Sequence, residues 1–252
     1  GRALLAGVIG DPIAHSLSPA IHEYWLKSYS IDGSYVPLHV KGPRFADTIE
    51  ELRSLGFRGC NVTLPHKERA FALADWRDPA AEATGAVNTL VFSEEGIKGY
   101  NTDVFGFSEN LKATLDPIDN YIDSCLVLGA GGAARGIIYA LQLLGARQIF
   151  LSNRTHEKAL KLAHELQSLE GDASSISCVP WEEKETVLKS VSLLINTTQL
   201  GMVGQPPLEI SLNSLPKTAA VTDIVYKPLK TGLLEAGEVR GARVADGLGM
   251  LL

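Results

Sequence analysis

The chain lacks the features that define several broad protein classes. Its 252 residues include three cysteines, Cys60, Cys125 and Cys178, far apart in sequence and with no C-x-x-C pair. That excludes a disulfide framework and zinc-finger spacing, and it reads as buried thiols in a reducing compartment. No uninterrupted apolar run approaches the roughly 18 residues that span a bilayer. No basic start leads into an apolar stretch, so neither a membrane partner nor a signal peptide is expected. Lysines and arginines are scattered and the formal net charge is −6, which leaves no basic footprint for nucleic acid. There is no H-E-x-x-H and no Asp/Glu cluster, so no metal is expected. Low-complexity stretches and solenoid repeats are also missing. What remains is a globular composition, 45% hydrophobic and 21% charged. Its length suits one large domain or two ordinary ones. The cytoplasm is the expected location.

Short β-rich runs alternate with helical patterns, which predicts an α/β architecture. In the first half, strands are expected at 4–9, 35–40 and 59–62, with a hairpin at 87–92 and 97–100 around Glu94-Glu95-Gly96. Helices are expected from Ser18-Pro19, read as an N-cap and first-turn proline, at 44–55, and from Asp103 to Leu111. The polar, proline-containing stretch 116–123 is one boundary cue, with the boundary itself placed slightly earlier. The second half alternates more cleanly. Strands are expected at 125–128, 148–151, 192–196 and 219–224, and helices at 131–144 and 156–169. This is the pattern of a doubly wound Rossmann-type sheet that binds a dinucleotide.

The best-defined site is a strand–turn–helix. Leu126-Val127-Leu128 runs into Gly129-Ala130-Gly131-Gly132-Ala133-Ala134, a G-x-G-x-x-A pattern, and then a helix bearing Ile137, Ile138, Leu141 and Leu144. Gly129 permits the tight turn, and Gly131 lets backbone approach a pyrophosphate. The helix N-terminus offers unpaired N–H groups and the positive dipole end. The next strand ends in Ser152-Asn153-Arg154-Thr155, with Lys158 one turn on. NAD-binding folds usually place a carboxylate there, which would repel a 2′-phosphate. Arg154 can grip that phosphate and Lys158 adds charge, so NADP is the expected cofactor.

Polar clusters recur in the first half where strands end: Ser16-Leu17-Ser18, Asn61-Val62-Thr63, Lys67, Asn88-Thr89 and Asn101-Thr102-Asp103. Taken singly, Ser18 is a helix cap, Lys67 a surface charge and the rest turn residues. Taken together they would line one crevice at the strand ends of an open sheet. Neutral hydrogen-bonding groups, one ammonium and one carboxylate suit a small polyhydroxylated acid.

On these segments the sequence closely resembles the shikimate dehydrogenase family. The likeness runs in order from Gly7–Pro12 and Ser16–Pro19 through Asn61–Lys67, Gly85–Thr89 and Gly99–Gly106. It continues over Gly129–Ala134, Asn153–Thr155, Asn196–Met202, Asp223–Tyr226 and Gly247–Met250. The resemblance implies two α/β domains around a cleft: a substrate domain over 1–104, joined by a returning segment 240–252, and an NADP-binding domain over 105–239. It implies reduction of 3-dehydroshikimate to shikimate with NADPH, by a monomer or homodimer. Ser16 and Ser18 would hold the substrate carboxylate. Thr63, Asn88 and Asp103 would bind ring hydroxyls, with Asn61, Thr102 and Tyr226 nearby. Lys67 and Asp103 would be the catalytic pair. Gly129, Ala130, Gly131, Gly132, Ala133, Asn153, Arg154, Thr155, Lys158 and Thr197 would hold the cofactor, with Ile224 and Gly247 against its nicotinamide.

The implied chemistry is self-consistent. Hydride delivery to a ketone leaves an alkoxide that needs a positioned acid; Lys67 can donate the proton while Asp103 orients lysine and hydroxyl, and the residues alone leave open which of the two makes the decisive transfer. His66 is the weaker alternative acid. The departures from the family are Gln199, where it usually has proline, and the end at Leu252. The family continues there into a helix whose early glutamine contacts substrate. A natural chain about 20 residues longer is therefore expected, and the Gly-Arg start is read as lacking the native methionine. The competing readings are a quinate or quinate/shikimate dehydrogenase, disfavoured by Ser18 and Arg154, a non-catalytic dinucleotide sensor, disfavoured by the intact Lys67 and Asp103, and a folate-type dehydrogenase, which the substrate motifs do not support.

Overall fold

A computed structural model of the chain describes residues 3–14, 16–167 and 174–251. It divides into two compact units, Gly1–Thr102 and Asp103–Leu252, each with its own six-stranded sheet.

In the first unit the elements run β1 (Leu4–Gly10), α1 (Ser18–Ser28), β2 (Gly33–His39), α2 (Phe45–Ser54), β3 (Phe57–Val62), α3 (Lys67–Leu73), β4 (Trp76–Arg77), α4 (Pro79–Thr84), β5 (Thr89–Ser93) and β6 (Gly96–Tyr100). The strand order is β2-β1-β3-β5-β6-β4. β1 pairs parallel with β2 and β3, whereas the β5–β6 hairpin joins β3 antiparallel. This mixed pairing has a consequence for the site. Because β5 runs against β3, its beginning lies beside the end of β3, with Asn61 opposite Thr89. The end of β6 returns to the same place, with Tyr100 opposite Thr89. The polar clusters therefore meet at the carboxyl ends of β3 and β6 and the amino end of β5. Beneath them, Ile9, Phe45, Ile49, Val62, Ala70 and Leu90 form one buried core.

The second unit runs α5 (Asp103–Thr114), β7 (Ser124–Leu128), α6 (Gly132–Leu143), β8 (Gln148–Ser152), α7 (His156–Gln167), β9 (Ser175–Val179), a 3-10 stretch Trp181–Ser190, β10 (Leu193–Asn196), β11 (Ala220–Asp223), α8 (Gly232–Arg240) and β12 (Arg243–Ala245). All pairings are parallel, in the order β12-β11-β10-β7-β8-β9. Counted within the unit, this is the 3-2-1-4-5-6 order of a dinucleotide-binding sheet, and its order reverses between β7 and β10. Cys125, Leu126, Val127 and Leu128 are fully buried, as expected of a central strand covered on both faces. Each such leucine contributes about 1.5–3 kcal/mol by leaving water. Arg135 on α6 reaches Glu165 on α7 at 2.6 Å and ties the two helices together.

The division falls between Thr102 and Asp103, two residues before the expected one. Within the segment 240–252 expected to return to the first domain, Arg243–Ala245 pairs with Ala220–Thr222 as the edge of the second sheet. Beyond it, Asn110 on α5 donates to the Asp246 carbonyl at 2.8 Å. A strand that follows a crossover helix is delivered beside the preceding parallel strand, and β12 obeys that rule. One expectation needs correction: Ser18 is not the cap of α1. Leu17 holds that position without a side-chain bond, and the Ser16 hydroxyl accepts from the Ser18 N–H at 3.2 Å. Of the helix expected over 156–169, residues 168 and 169 lie outside the described residues.

Candidate active site

In the first unit the expected substrate residues form a connected set. Tyr35 on β2 donates to Asn61 Oδ1 at 2.6 Å, and Asn61 Nδ2 donates to Thr89 Oγ1 at 2.9 Å. Thr89 donates to Asn88 Oδ1 at 3.0 Å, which also accepts from the Thr102 N–H at 3.0 Å. Asn88 Nδ2 donates to Thr102 Oγ1 at 2.9 Å. At the other end the Ser18 carbonyl lies 2.9 Å from His22 Nδ1, and the His22 ring stacks on that of Tyr35. Thr63 follows β3 and is held by its N–H on the Ile9 carbonyl at 2.8 Å. Lys67 opens α3, and its carbonyl accepts from Val87 N–H at 3.0 Å, next to Asn88.

His66 is fully buried. Its Nε2 lies 2.6 Å from the Val40 carbonyl; a carbonyl can only accept, so this nitrogen carries the proton. The ring stacks on Phe45 at 4.9 Å, and Nδ1 has no partner. Burial, above all, holds its pKa below the ordinary histidine value; the bond to Val40 opposes this. A neutral, sealed imidazole cannot serve as the proton donor, so His66 instead fixes the turn that presents Lys67.

In the second unit Gly129 has φ +112°, and a Cβ there would lie 2.5 Å from Thr197 Oγ1. Only glycine fits this turn. Thr197 spans the reversal point, bonding the Leu128 carbonyl through its N–H at 2.9 Å and its hydroxyl at 2.7 Å. Gly131 differs: it is exposed, and a Cβ there would meet nothing within 4 Å. The protein itself does not require glycine at this position, whereas a phosphate held against the start of α6, beside Ala130, Gly132 and Ala133, would. Asn153 turns its amide onto the Thr155 carbonyl at 2.8 Å. Arg154 and Lys158 stand exposed, and among the described residues neither forms an ion pair. Two uncommitted cations beside this turn suit a 2′-phosphate, so the residues present fit NADP.

Sequence reasoning overlooked the support beneath this site. Asp223, fully buried at the end of β11, accepts from Asn196 Nδ2 at 3.0 Å, Val225 N–H at 3.0 Å and Thr231 Oγ1 at 2.7 Å. Burial pushes its carboxyl above the ordinary value, against the pull of those three bonds. This knot joins β10, β11 and the cap of α8, and so sets where Ile224 and Tyr226 stand. Gly247 is buried against the Ile224 carbonyl, which leaves no room for a side chain. Asp103, buried, opens α5. No cluster of His, Cys, Asp or Glu among the described residues is placed to hold a metal.

Comparison with known proteins agrees with this geometry. Residues 8–90 match the shikimate dehydrogenase substrate-binding domain, and residues 115–202 match the shikimate/quinate 5-dehydrogenase family. A shikimate dehydrogenase (NADP(+)) of Dinoroseobacter shibae is 48% identical over 249 residues, covering 98% of this chain and 87% of that protein. The chain belongs to the shikimate dehydrogenase family. Among solved structures, the Thermus thermophilus shikimate 5-dehydrogenase in complex with NADP(H) and shikimate is 38% identical, with a TM-score of 0.84 over 98% of this chain and 88% of its own. The quinate dehydrogenase of Corynebacterium glutamicum in complex with NAD is 29% identical, with a TM-score of 0.88 over 99% and 89%. The fold is thus common to shikimate and quinate enzymes in this family, and the site residues must discriminate between them.

Proposed function

We propose that the protein catalyses the reversible, NADPH-dependent reduction of 3-dehydroshikimate to shikimate. The observation that carries this reading is family membership along nearly the whole chain, together with uncommitted Arg154 and Lys158 at the end of β8 where an NAD enzyme would present a carboxylate. Bound NADPH supplies the hydride for the ketone. Ser16 and Ser18 hold the substrate carboxylate, and Asn61, Thr63, Asn88, Thr102 and Tyr226 serve its hydroxyls. Lys67 delivers the proton to the oxygen as charge develops on it. Asp103 accepts from the substrate hydroxyl and keeps it oriented toward the ammonium. In the second unit, Gly129–Ala133 receive the pyrophosphate, while Arg154 and Lys158, with Asn153 and Thr155 shaping the turn, receive the 2′-phosphate. Thr197, Ile224 and Gly247 serve the nicotinamide side. We place the activity in the cytoplasm, which suits three free cysteines. No partner beyond substrate and cofactor is invoked.

A quinate-oxidising, NAD-dependent enzyme is the second reading, favoured by the fold likeness alone. Initial rates with shikimate and with quinate, each with NADP+ and with NAD+, separate the two. Turnover of shikimate with NADP+ well above the other three pairs is the expected result, and preferred turnover of quinate with NAD+ would overturn the proposal.

A further inference from the structure

We propose that Tyr35 is a positioning residue for substrate recognition, the node that joins both arms of the substrate site, one through a hydrogen-bond relay from its phenol and the other through the His22 ring stacked on it. The inference rests on the functional reading above and adds a residue that the reading does not contain.

The direction of the relay follows from its two ends. The backbone N–H of Thr102 can only donate, so the atom of Asn88 facing it at 3.0 Å is the carbonyl oxygen. That oxygen then also receives the Thr89 hydroxyl proton at 3.0 Å. With its proton committed, Thr89 accepts from the Asn61 amide nitrogen at 2.9 Å. Asn61 Oδ1 must then face Tyr35, whose phenol donates to it at 2.6 Å. Each amide has one permitted orientation, and the phenol closes the chain at the end opposite the backbone anchor.

The phenol is built to remain a donor. Burial raises its pKa well above the ordinary tyrosine value, and neighbouring Cys60 adds to the effect. Its ring is fixed by stacking on His22, with centroids 3.8 Å apart and planes 11° off parallel. His22 is itself held by Nδ1 on the Ser18 carbonyl at 2.9 Å and by Trp25 edge-on at 5.1 Å. Through the stacked His22, which lies on the Ser18 carbonyl, Tyr35 therefore joins the serine assigned to the carboxylate with the amides assigned to the ring hydroxyls. Without its O–H, Asn61 Oδ1 loses its donor, and neither amide orientation is enforced from that end.

Tyr35→Phe removes only the oxygen and keeps the stacked ring. The test measures KM for shikimate, KM for NADP+, kcat and thermal midpoint for the unsubstituted protein, Tyr35→Phe, Thr89→Val and the double variant. Each single variant is expected to raise KM for shikimate about 3- to 10-fold, the loss expected from one neutral hydrogen bond. The change in kcat should be smaller, and KM for NADP+ should not move. Because both act through one chain, the double variant should stay within about twofold of the worse single one. An unchanged KM in Tyr35→Phe, an equal rise in KM for NADP+, or a double variant at the product of the two singles would each overturn the relay while leaving the enzymatic reading intact. Failure of the unsubstituted protein to oxidise shikimate with NADP+ would overturn the reading, and the role given to Tyr35 with it.

Discussion

Lys67 and Arg154 each carry one separable part of the proposed chemistry. Lys67 stands at the first position of α3, directly after an imidazole that cannot release a proton into the site. Lys67→Ala should therefore lower kcat by about 10²–10⁴, the usual worth of a positioned acid, with a smaller effect on shikimate binding. Single-turnover and steady-state rates check this, and near-normal turnover would remove lysine from the mechanism. Arg154 is exposed, so its loss should not disturb the fold. Arg154→Ala should weaken NADPH about 10- to 150-fold, one charge-assisted phosphate bond, and leave NADH unchanged. Equal weakening of both cofactors in fluorescence titrations would place Arg154 elsewhere than on the 2′-phosphate.

At the scale of elements, the strand–turn–helix around Gly129 contains two glycines present for different reasons. Gly129 answers to the fold: its φ is +112° and Thr197 fills the space a side chain would need. Gly129→Ala should cost about 1–3 kcal/mol of stability in urea unfolding, and cofactor binding with it. Gly131 answers to the ligand: its φ is −103° and its surroundings are open. Gly131→Ala should change stability by no more than about 0.5 kcal/mol, yet weaken NADPH by about tenfold or more. Equal destabilisation by the two substitutions would refute the distinction. The motif already gives the two glycines these separate roles, the turn and the approach of a pyrophosphate; what lies opposite each Cβ is added by the fold, because spacing carries no information about it. The elements overlooked in the sequence have physical causes too. Helix α8 contains Gly237, a poor helix former, because a side chain there would press on Val221 and Val244 at 3.2 Å. Strand β9 is an edge with only Val179 buried, so it lacks the apolar run by which central strands are recognised.

For the whole molecule, the sealed His66 couples stability to pH. Its folded pKa lies below the ordinary value, so the unfolded chain binds that proton first as pH falls. The contribution of neutral His66 is fully present above about pH 6.5, the unfolded value, and is lost as pH falls from there toward the depressed folded value. Asp223 acts with the opposite sign: its raised carboxyl makes ionisation a cost that grows as pH rises from the ordinary carboxylate value toward the folded one. Urea unfolding at pH 5, 6 and 7 should show stability rising over this interval. His66→Gln, which keeps a donor for the Val40 carbonyl, should flatten the rise. An unchanged slope in that variant would assign the pH dependence to other groups.

Alternation of apolar strands and amphipathic helices already determined a two-part α/β chain, because period and turn chemistry are local properties. The glycine turn with Arg154 pointed to a nucleotide cofactor, since those residues are contiguous or one strand apart. Pairing between distant strands was not legible. The antiparallel entry of the β5–β6 hairpin, which sets Thr89 beside Asn61, depends on hydrogen bonds between segments 28 residues apart. Tyr35 likewise reads as one more aromatic in a strand until the sheet places its hydroxyl on Asn61 and its ring beneath His22. Asp223 reads as one polar residue near the end of a strand until Asn196 of β10 and Thr231 at the start of α8 close over it. The chemistry of each side chain is written in the sequence, but which groups share protons and which are sealed from water is decided only when the chain has folded, because both depend on neighbours brought from far along it.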